Sequence, residues 1–286
     1  MNPQNRLSIR LSALATAVLF SVGLTTANAT EPCDDFGECK VLIEINATDG
    51  DIGFHFLVDG DDLIRTVLFN PDHKKIFSYI ARRELREQFV TETFVESAEP
   101  LCDILLKEDD DDEVVTLEEF LERWSAGNYH FFGIGDGWEF SHGETYLSFN
   151  LPAAPTEVDF DGAVISWEAG DDLGECSTSD DLDALVGMGE DDLPTHPEDV
   201  TVAAWEVVFE PDVDDGDSTG ALVYSVRVAG DISPMEITVP IEYLDSLPDN
   251  TPMKVEVGAI GVDDNATFSE EDGFCVNDVD EIGCDD

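Results

Sequence analysis

The feature that most constrains the fold is a pair of alternating apolar and polar runs between Glu236 and Val262. In the first run, Ile237, Val239 and Ile241 fall on one face of an extended chain. A Pro-Asp-Asn turn signal follows at 248–250. The second run places an apolar residue at every other position: Met253, Val255, Val257 and Ala259. A period of two indicates half-buried strands, so this part of the chain predicts β-structure.

Short strands separated by turns are also predicted over the first half. Alternating residues begin at Lys40, and Asp- and Gly-rich turns follow at 48–51 and 59–62. One short helix is expected there, because Thr116 and Glu119 have the spacing of a capping box. The apolar residues after the cap share one helical face: Leu117, Phe120, Leu121 and Trp124.

Composition shifts divide the chain into segments. Two arginines precede an apolar run, and Ala-Asn-Ala ends it at 27–29, which is typical of a secretory signal peptide. A Pro-Ala-Ala-Pro linker stands at 152–155. The sequence predicts a signal peptide at 1–29, a first domain at 30–151, a second domain at 152–276 with an acidic insertion at 171–199, and an acidic tail at 277–286.

The second domain resembles a fibronectin type III domain. Its strand E to strand F passage fits the family pattern Leu-x-Pro-Gly-Thr-x-Tyr followed by V-x-V-x-A at Leu247, Thr251, Val255, Val257 and Ala259. Met253 stands where the family has its corner tyrosine, which implies that the corner's hydroxyl-to-backbone hydrogen bond is missing. Trp167 takes the position of the family's core tryptophan, which gives it a structural role.

The first half is similar to other Ig-like sandwiches, because Gly127-Asn128-Tyr129 after a short helix looks like the approach to their strand F. Together these resemblances imply an all-β fold, with two Ig-like or fibronectin type III-like β-sandwich domains in tandem and one short helix in the first. The first half also resembles the N-terminal halves of secreted bacterial proteins that carry a type III domain behind it. These resemblances imply a fold rather than an activity.

The net charge limits the possible partners. Loss of residues 1–29, with two arginines and no acidic residue, would change the formal charge from −53 to −55. Such an excess of negative charge excludes nucleic acid and anionic membrane surfaces as partners. After the leader no apolar run is long enough for membrane insertion, so a secreted or periplasmic location is expected.

The six cysteines predict disulfides in an exported chain. They are Cys33, Cys39, Cys102, Cys176, Cys275 and Cys284. The spacings 33–39 and 275–284 could each close a short local loop, but the sequence does not choose among the possible connectivities.

Basic residues are concentrated in one stretch. Six lysines and arginines fall between Arg65 and Arg86. They could form an anion-binding patch, but we favour surface pairing with the many carboxylates nearby.

Acidic clusters offer hard oxygen ligands for calcium. The candidates are Asp212, Asp214 and Asp217, with a second cluster at Asp278 and Asp280. The run from Glu108 to Glu119 partly fits an EF-hand loop, but Glu113 replaces the required glycine. In a chain this acidic such spacings also arise by chance, so we favour solvated acidic loops without cofactor or metal.

The sequence lacks H-E-x-x-H and P-loop patterns, so no catalytic residue is assigned. Three functions are considered: a non-enzymatic secreted binding or structural protein that presents loops to an extracellular protein or glycan, an accessory module for polysaccharide binding or degradation, and a calcium-stabilised structural protein. A glycan-binding module should expose an aromatic platform. The phenylalanines and tryptophans fall mostly on predicted inward positions, which favours the first function.

Overall fold

Strands dominate the computed structural model, which describes residues 33–107, 113–176, 179–187, 189, 191–213, 217–277 and 284. The first seven strands are β1 (Glu38–Asn46), β2 (Asp51–Leu63), β3 (Arg65–Phe69), β4 (Lys75–Ile80), β5 (Val90–Glu96), β6 (Gly127–Ile134) and β7 (Phe140–Leu147). Those of the second half are β8 (Thr156–Phe160), β9 (Val164–Glu168), β10 (Val202–Pro211), β11 (Tyr224–Ala229), β12 (Glu236–Thr238), β13 (Thr251–Gly261) and β14 (Ala266–Val276). The all-β prediction is confirmed.

The helices in these ranges are short: α1 (Glu84–Gln88), α2 (Leu117–Arg123), α3 (Ser179–Leu185) and α4 (Ile241–Leu244). The helix predicted after Thr116 is α2, whose first turn is capped because the Thr116 hydroxyl accepts a hydrogen bond from the Glu119 amide at 3.3 Å. A second helix in the first half, α1, was not predicted. Within the described ranges, none of the helices has the length and apolar character that crossing a bilayer requires. The proposed signal peptide lies outside the described residues.

The strands form three sheets. The largest has the order β11-β10-β13-β14-β1-β2-β5, and two smaller sheets have the orders β12-β9-β8 and β4-β3-β6-β7. Neighbours pair antiparallel except β1 and β14, which are parallel and in register at Glu44 with Ala266. The large sheet therefore runs without interruption from the first half of the chain into the second.

Each half of the large sheet is covered by one small sheet over its own apolar core. The first core includes Ile43, Phe56 and Phe131, and the second includes Trp205 and Val257. Full burial of side chains of this size contributes about 1.5–3 kcal/mol each. The arrangement is two β-sandwiches that share a sheet.

Trp167 lies in the second core, 3% exposed, with its ring centroid 5.9 Å from that of Trp205. Trp167 is therefore a core residue of the second sandwich, and its role as the family's core tryptophan stays a prediction. Strands β8 and β9 occupy the places that the type III resemblance gives to strands A and B, and β10 and β11 those of C and C′. Membership of that family stays a prediction.

The acidic insertion differs from its expected place in the second domain. Its apolar side chains Leu173, Leu182 and Leu193 are fully buried in the first core. The Glu175 amide also donates to the Ala47 carbonyl at 2.9 Å, so the insertion lies beside the first sandwich. The Pro152–Pro155 boundary stays a prediction, but the two halves do not meet at that linker alone.

All six cysteines are described and paired, as Cys33–Cys39, Cys102–Cys176 and Cys275–Cys284. Their Cα atoms are 5.6, 5.0 and 5.4 Å apart, within the range that a disulfide spans. The two local loops considered from spacing are both formed. Cys102–Cys176 joins the insertion to the first core. Of the predicted acidic tail, residues 278–283 and 285–286 lie outside the described part.

Candidate binding surface

The outer face of the four-stranded sheet carries aromatic and imidazole side chains in rows. Strand register sets one row as Ile80, Arg65, Ile134 and Phe140. The next rows are Ser78, Val67, Phe132 and His142, and then Phe69, His130 and Glu144. We call the surface formed by Phe69, His130, Phe132, Phe140, His142 and Tyr146 the aromatic face.

Four rings of the aromatic face, those of Phe69, His130, Phe132 and His142, contact one another. Phe132 meets Phe69 edge-on at 5.5 Å between centroids and lies 4.9 Å from His142. His142 is 5.8 Å from His130, which stacks on His73 at 5.7 Å. These separations are those of favourable aromatic pairs, so the central rings form one cluster rather than isolated side chains, and register places Phe140 and Tyr146 on the same face.

The aromatic face is open to solvent. Phe132 is 42% exposed, Tyr146 54% and Phe140 77%. The sequence analysis expected phenylalanines and tryptophans mostly at inward positions, and Phe132 and Phe140 are exceptions that face solvent. Alternation on β7 turns Thr145 and Leu147 into the core, so that Phe140 and Tyr146 must point outward.

Carboxylates border this face and hold its imidazoles. His130 Nδ1 lies 3.2 Å from Glu144 Oε2, and His142 Nδ1 lies 3.7 Å from Asp34 Oδ2. The His142 amide donates to Asp35 at 3.0 Å. The face therefore offers hydrogen-bonding groups beside its rings.

A cleft of about 420 Å³ adjoins the Phe140 end of the face. Trp138 forms one wall, Ile80 and Ile134 line its apolar part, and Arg65 and Arg86 bring cationic groups to it. The Arg65 Nε atom is buried and has no hydrogen-bond partner within the described residues. A polar ligand atom in this cleft could satisfy that donor.

Trp138 is held away from the protein by its backbone. Gly137 and Trp138 both have left-handed conformations, with φ of 63° and 67°. This region of backbone conformation is unfavourable for residues other than glycine, and most of all for a bulky one such as tryptophan. Trp138 is 72% exposed, so the turn presents the indole to solvent.

A second, polar concavity of about 860 Å³ adjoins the Tyr146 end of the face. Its walls include Asp72, Asn150, Asp192 and Asp263. Along β7, Phe140 and Tyr146 are separated by six residues of extended chain, about 20 Å. The aromatic face thus runs between two concavities and suits an elongated ligand.

The outer face of the seven-stranded sheet carries carboxylates rather than aromatic rings. Burial, and then neighbouring carboxylates, raise the pKa of both Glu44 and Glu256 to about 7. Burial raises the pKa of Asp51 to about 6, and Glu99 and Asp49 add to that rise. We call the surface formed by Glu44, Asp51, Glu206, Glu256 and Glu270 the acidic face.

The predicted calcium ligands are only partly within the described residues. The Asp217 side chain accepts a hydrogen bond from the Thr219 amide at 2.8 Å, which caps a short 3-10 turn and lowers the Asp217 pKa. The Asp212 amide donates to the Pro252 carbonyl at 3.0 Å. Asp214, the cluster at 278–280 and residues 108–112 of the EF-hand-like run lie outside the described part, so calcium binding stays untested.

The basic stretch from Arg65 to Arg86 is less paired than expected. Lys74 forms an ion pair with Asp72 at 2.9 Å. Arg65 and Arg86, however, line the cleft beside Trp138. No carboxylate in the described part of the chain lies within 4.0 Å of their charged nitrogens. The expected surface pairing is therefore not observed for these two arginines.

Comparisons with known proteins leave the family open. No protein-family model matches the chain, and no curated protein matches it. A solved structure described as "Biofilm associated protein - BSP domain" is 9% identical, with a TM-score of 0.22. The match covers 86% of this chain and 30% of that one. Similarity at this level supports no argument about function.

Proposed function

We propose that this chain is a non-enzymatic binding protein of the extracellular space, secreted or periplasmic, and that it presents the aromatic face to its partner. The observation that carries the proposal is the exposure of Phe132, Phe140 and Trp138 on one side of one sheet. Contiguous exposed apolar surface of this kind is typical of interaction sites. Three disulfides support an oxidising location.

The chemistry of the face favours a neutral polysaccharide as partner, the second function considered from the sequence. One side of a sugar ring is lined by C–H groups, which pack against aromatic rings, whereas its hydroxyls require hydrogen bonds. Here His130, Glu144 and the Arg65 Nε atom are available beside the rings. The distance of about 20 Å along β7 accommodates several sugar rings in a row.

Charge decides between neutral and acidic sugars. The chain carries a formal charge of −53, and a polyanion would be repelled from it over roughly one Debye length, about 8 Å at physiological salt. Two arginines in the cleft do not reverse that balance. We therefore assign Arg65 and Arg86 to hydrogen bonds with sugar oxygens rather than to pairing with uronate or sulfate groups.

Affinity electrophoresis tests this proposal. The protein is run in native gels that contain either a neutral β-glucan or a polyuronate, and we expect retardation by the neutral polymer alone. Trp138→Ala and Phe132→Ala should each weaken retardation about tenfold, since each removes a stacking ring.

The matched control is Phe94→Ala. Phe94 is 53% exposed but lies on β5, in the other sheet, and its removal should leave retardation unchanged. Equal losses for Phe94→Ala and Trp138→Ala, or no retardation by any neutral polysaccharide tried, would show that the aromatic face does not bind glycan.

A further inference from the structure

A buried histidine and two glutamates meet on the acidic face, which belongs to a different sheet from the aromatic face. His55 lies on β2, and its side chain is 3% exposed. Its Nε2 atom is 3.1 Å from Glu99 Oε1, and its Nδ1 atom is 3.8 Å from Glu44 Oε2. One potential ligand atom from each of the three side chains lies within 4.8 Å of the other two.

Gly53 makes room for this cluster. Glu44 on β1 pairs directly with Gly53 on β2, and the other two groups lie over the position where a side chain at 53 would be. A Cβ atom there would stand 2.7 Å from His55 Nε2 and 3.0 Å from Glu99 Oε1. His55 and Glu99 therefore meet over a space that exists because residue 53 is glycine, and Glu44 borders it from the paired position on β1.

We propose that Glu44, His55 and Glu99 bind one divalent cation of the zinc type. Imidazole nitrogen with two carboxylate oxygens is a donor set suited to zinc and neighbouring transition metals, whereas calcium and magnesium take oxygen ligands almost alone. The site is independent of the glycan-binding proposal, because it lies on another sheet.

The Nε2 side of His55 already has nearly the spacing of such a site, whereas Glu44, which faces Nδ1, has to rotate towards it. Ligand atoms around tetrahedral zinc are about 3.3–3.6 Å apart, given metal–ligand bonds of about 2.0–2.2 Å. His55 Nε2 and Glu99 Oε1 already have nearly this separation. The Glu44 and Glu99 side chains are 37% and 42% exposed, so both can rotate inward while the buried imidazole stays fixed.

The surrounding charge adds a general attraction for cations. Glu96 stands opposite His55 in the β2–β5 pair, and Glu256 on β13 and Glu206 on β10 act on Glu44 from farther across the same sheet. Carboxylates alone, however, would attract any divalent cation. The histidine is what should make this site prefer zinc to magnesium.

Isothermal titration of the metal-free folded protein with zinc chloride, in excess magnesium chloride, tests the proposal. Magnesium occupies the diffuse carboxylate sites, and we expect one zinc-binding event to remain. Glu99→Gln should weaken it at least about tenfold, the effect typical of altering a metal ligand's immediate partners. Gly53→Ala, which keeps every ligand but fills the space, should weaken it similarly.

The control is Glu96→Gln, which removes one charge from the same face and should change zinc affinity less than about twofold. His55→Gln could unfold the sheet, so the two variants above carry the test, each with its circular dichroism spectrum compared with that of the unchanged protein. Equal zinc affinities in Glu99→Gln and Glu96→Gln, or loss of all zinc binding in magnesium, would overturn the proposal.

Discussion

Asn265 and Ile43 are joined by a buried hydrogen bond between the two halves of the chain, in which the Ile43 amide donates to Asn265 Oδ1 at 2.9 Å. The Asn265 Nδ2 atom donates to the backbone carbonyls of Ser148 and Asn150 at 2.9 and 3.1 Å. Asn265 has no exposed surface. Asn265 lies in the turn just before β14, in the second half of the chain. Its carboxamide therefore provides hydrogen-bond partners for buried backbone groups of the first half.

Asn265→Ala should lower the free energy of unfolding by about 3 kcal/mol. It leaves one buried amide and two carbonyls without their partner, and each such loss costs about 1–3 kcal/mol. Urea denaturation measures the change. Asn128→Ala, at an exposed position on β6, should change stability by less than about 0.5 kcal/mol. A loss below about 1 kcal/mol for Asn265→Ala would mean that water replaces the carboxamide.

Local patterns explain why the strands could be predicted and their assembly could not. Alternation along Met253–Ala259 indicates a strand because burial follows the pleat. The strand predicted from Ile237 to Ile241 was wrong at its end, because β12 stops at Thr238 and Ile241 begins α4 with its side chain exposed. The pairing of β1 with β14 joins segments more than 200 residues apart, as in Glu44 with Ala266, and has no local signature. Asn265 stands in an Asp-rich turn, so the local sequence predicts a solvated side chain for it.

The candidate sites were missed for related reasons. On β6, the run His130–Phe131–Phe132 has no clear alternation, so the sequence does not tell which phenylalanine is buried; Phe131 is, and Phe132 is not. His55 is a buried strand residue, and Glu44 and Glu99 approach it from other segments of the chain. A cluster made by tertiary contacts cannot be found by sequence spacing.

A hydroxyl-to-backbone hydrogen bond exists in the second core, although the type III resemblance implied that Met253 removes one at the corner position. Met253 is fully buried. The Tyr243 hydroxyl, on α4, donates to the Leu222 carbonyl at 2.7 Å and lies 2.9 Å from that of Phe209. Burial raises the pKa of Tyr243 to about 12, with Glu210 adding to the rise.

Tyr243→Phe should therefore cost about 1 kcal/mol of stability, the net value of one such hydrogen bond. Thermal unfolding compared with Tyr146→Phe provides the check. Tyr146 is 54% exposed, and loss of its hydroxyl should have no measurable effect. Equal melting temperatures for the two variants would show that Tyr243 contributes only through its ring.

The Cys102–Cys176 disulfide should stabilise the first sandwich by holding the insertion against it. It closes a loop with a sequence separation of 74 residues, whereas Cys33–Cys39 closes one of 6. A longer loop loses more entropy in the unfolded chain when it is closed, and the typical contribution is about 2–4 kcal/mol.

The double variant Cys102→Ser with Cys176→Ser should lower the melting temperature more than Cys33→Ser with Cys39→Ser. Limited proteolysis should also cut the insertion faster in the first variant than in the second. If the second pair proves the more costly one, packing of Leu173, Leu182 and Leu193 holds the insertion without help from the disulfide.

Glu256 should make the protein less stable as pH rises. Its pKa is about 7 in the folded protein because of burial and then Glu270, and near 4.5 when unfolded. Between these values the folded state binds more protons than the unfolded state, so the free energy of unfolding falls with increasing pH.

Glu256→Gln removes this loss and should stabilise the protein at pH 8, but not at pH 4.5. The gain should be about 1 kcal/mol, because partial exposure screens the charge, and it should shrink in 1 M sodium chloride. Urea denaturation at the two pH values measures it, with Glu236→Gln, at an exposed position on β12, as the control. An equal gain at both pH values would assign the effect to amide packing rather than to the charge of Glu256.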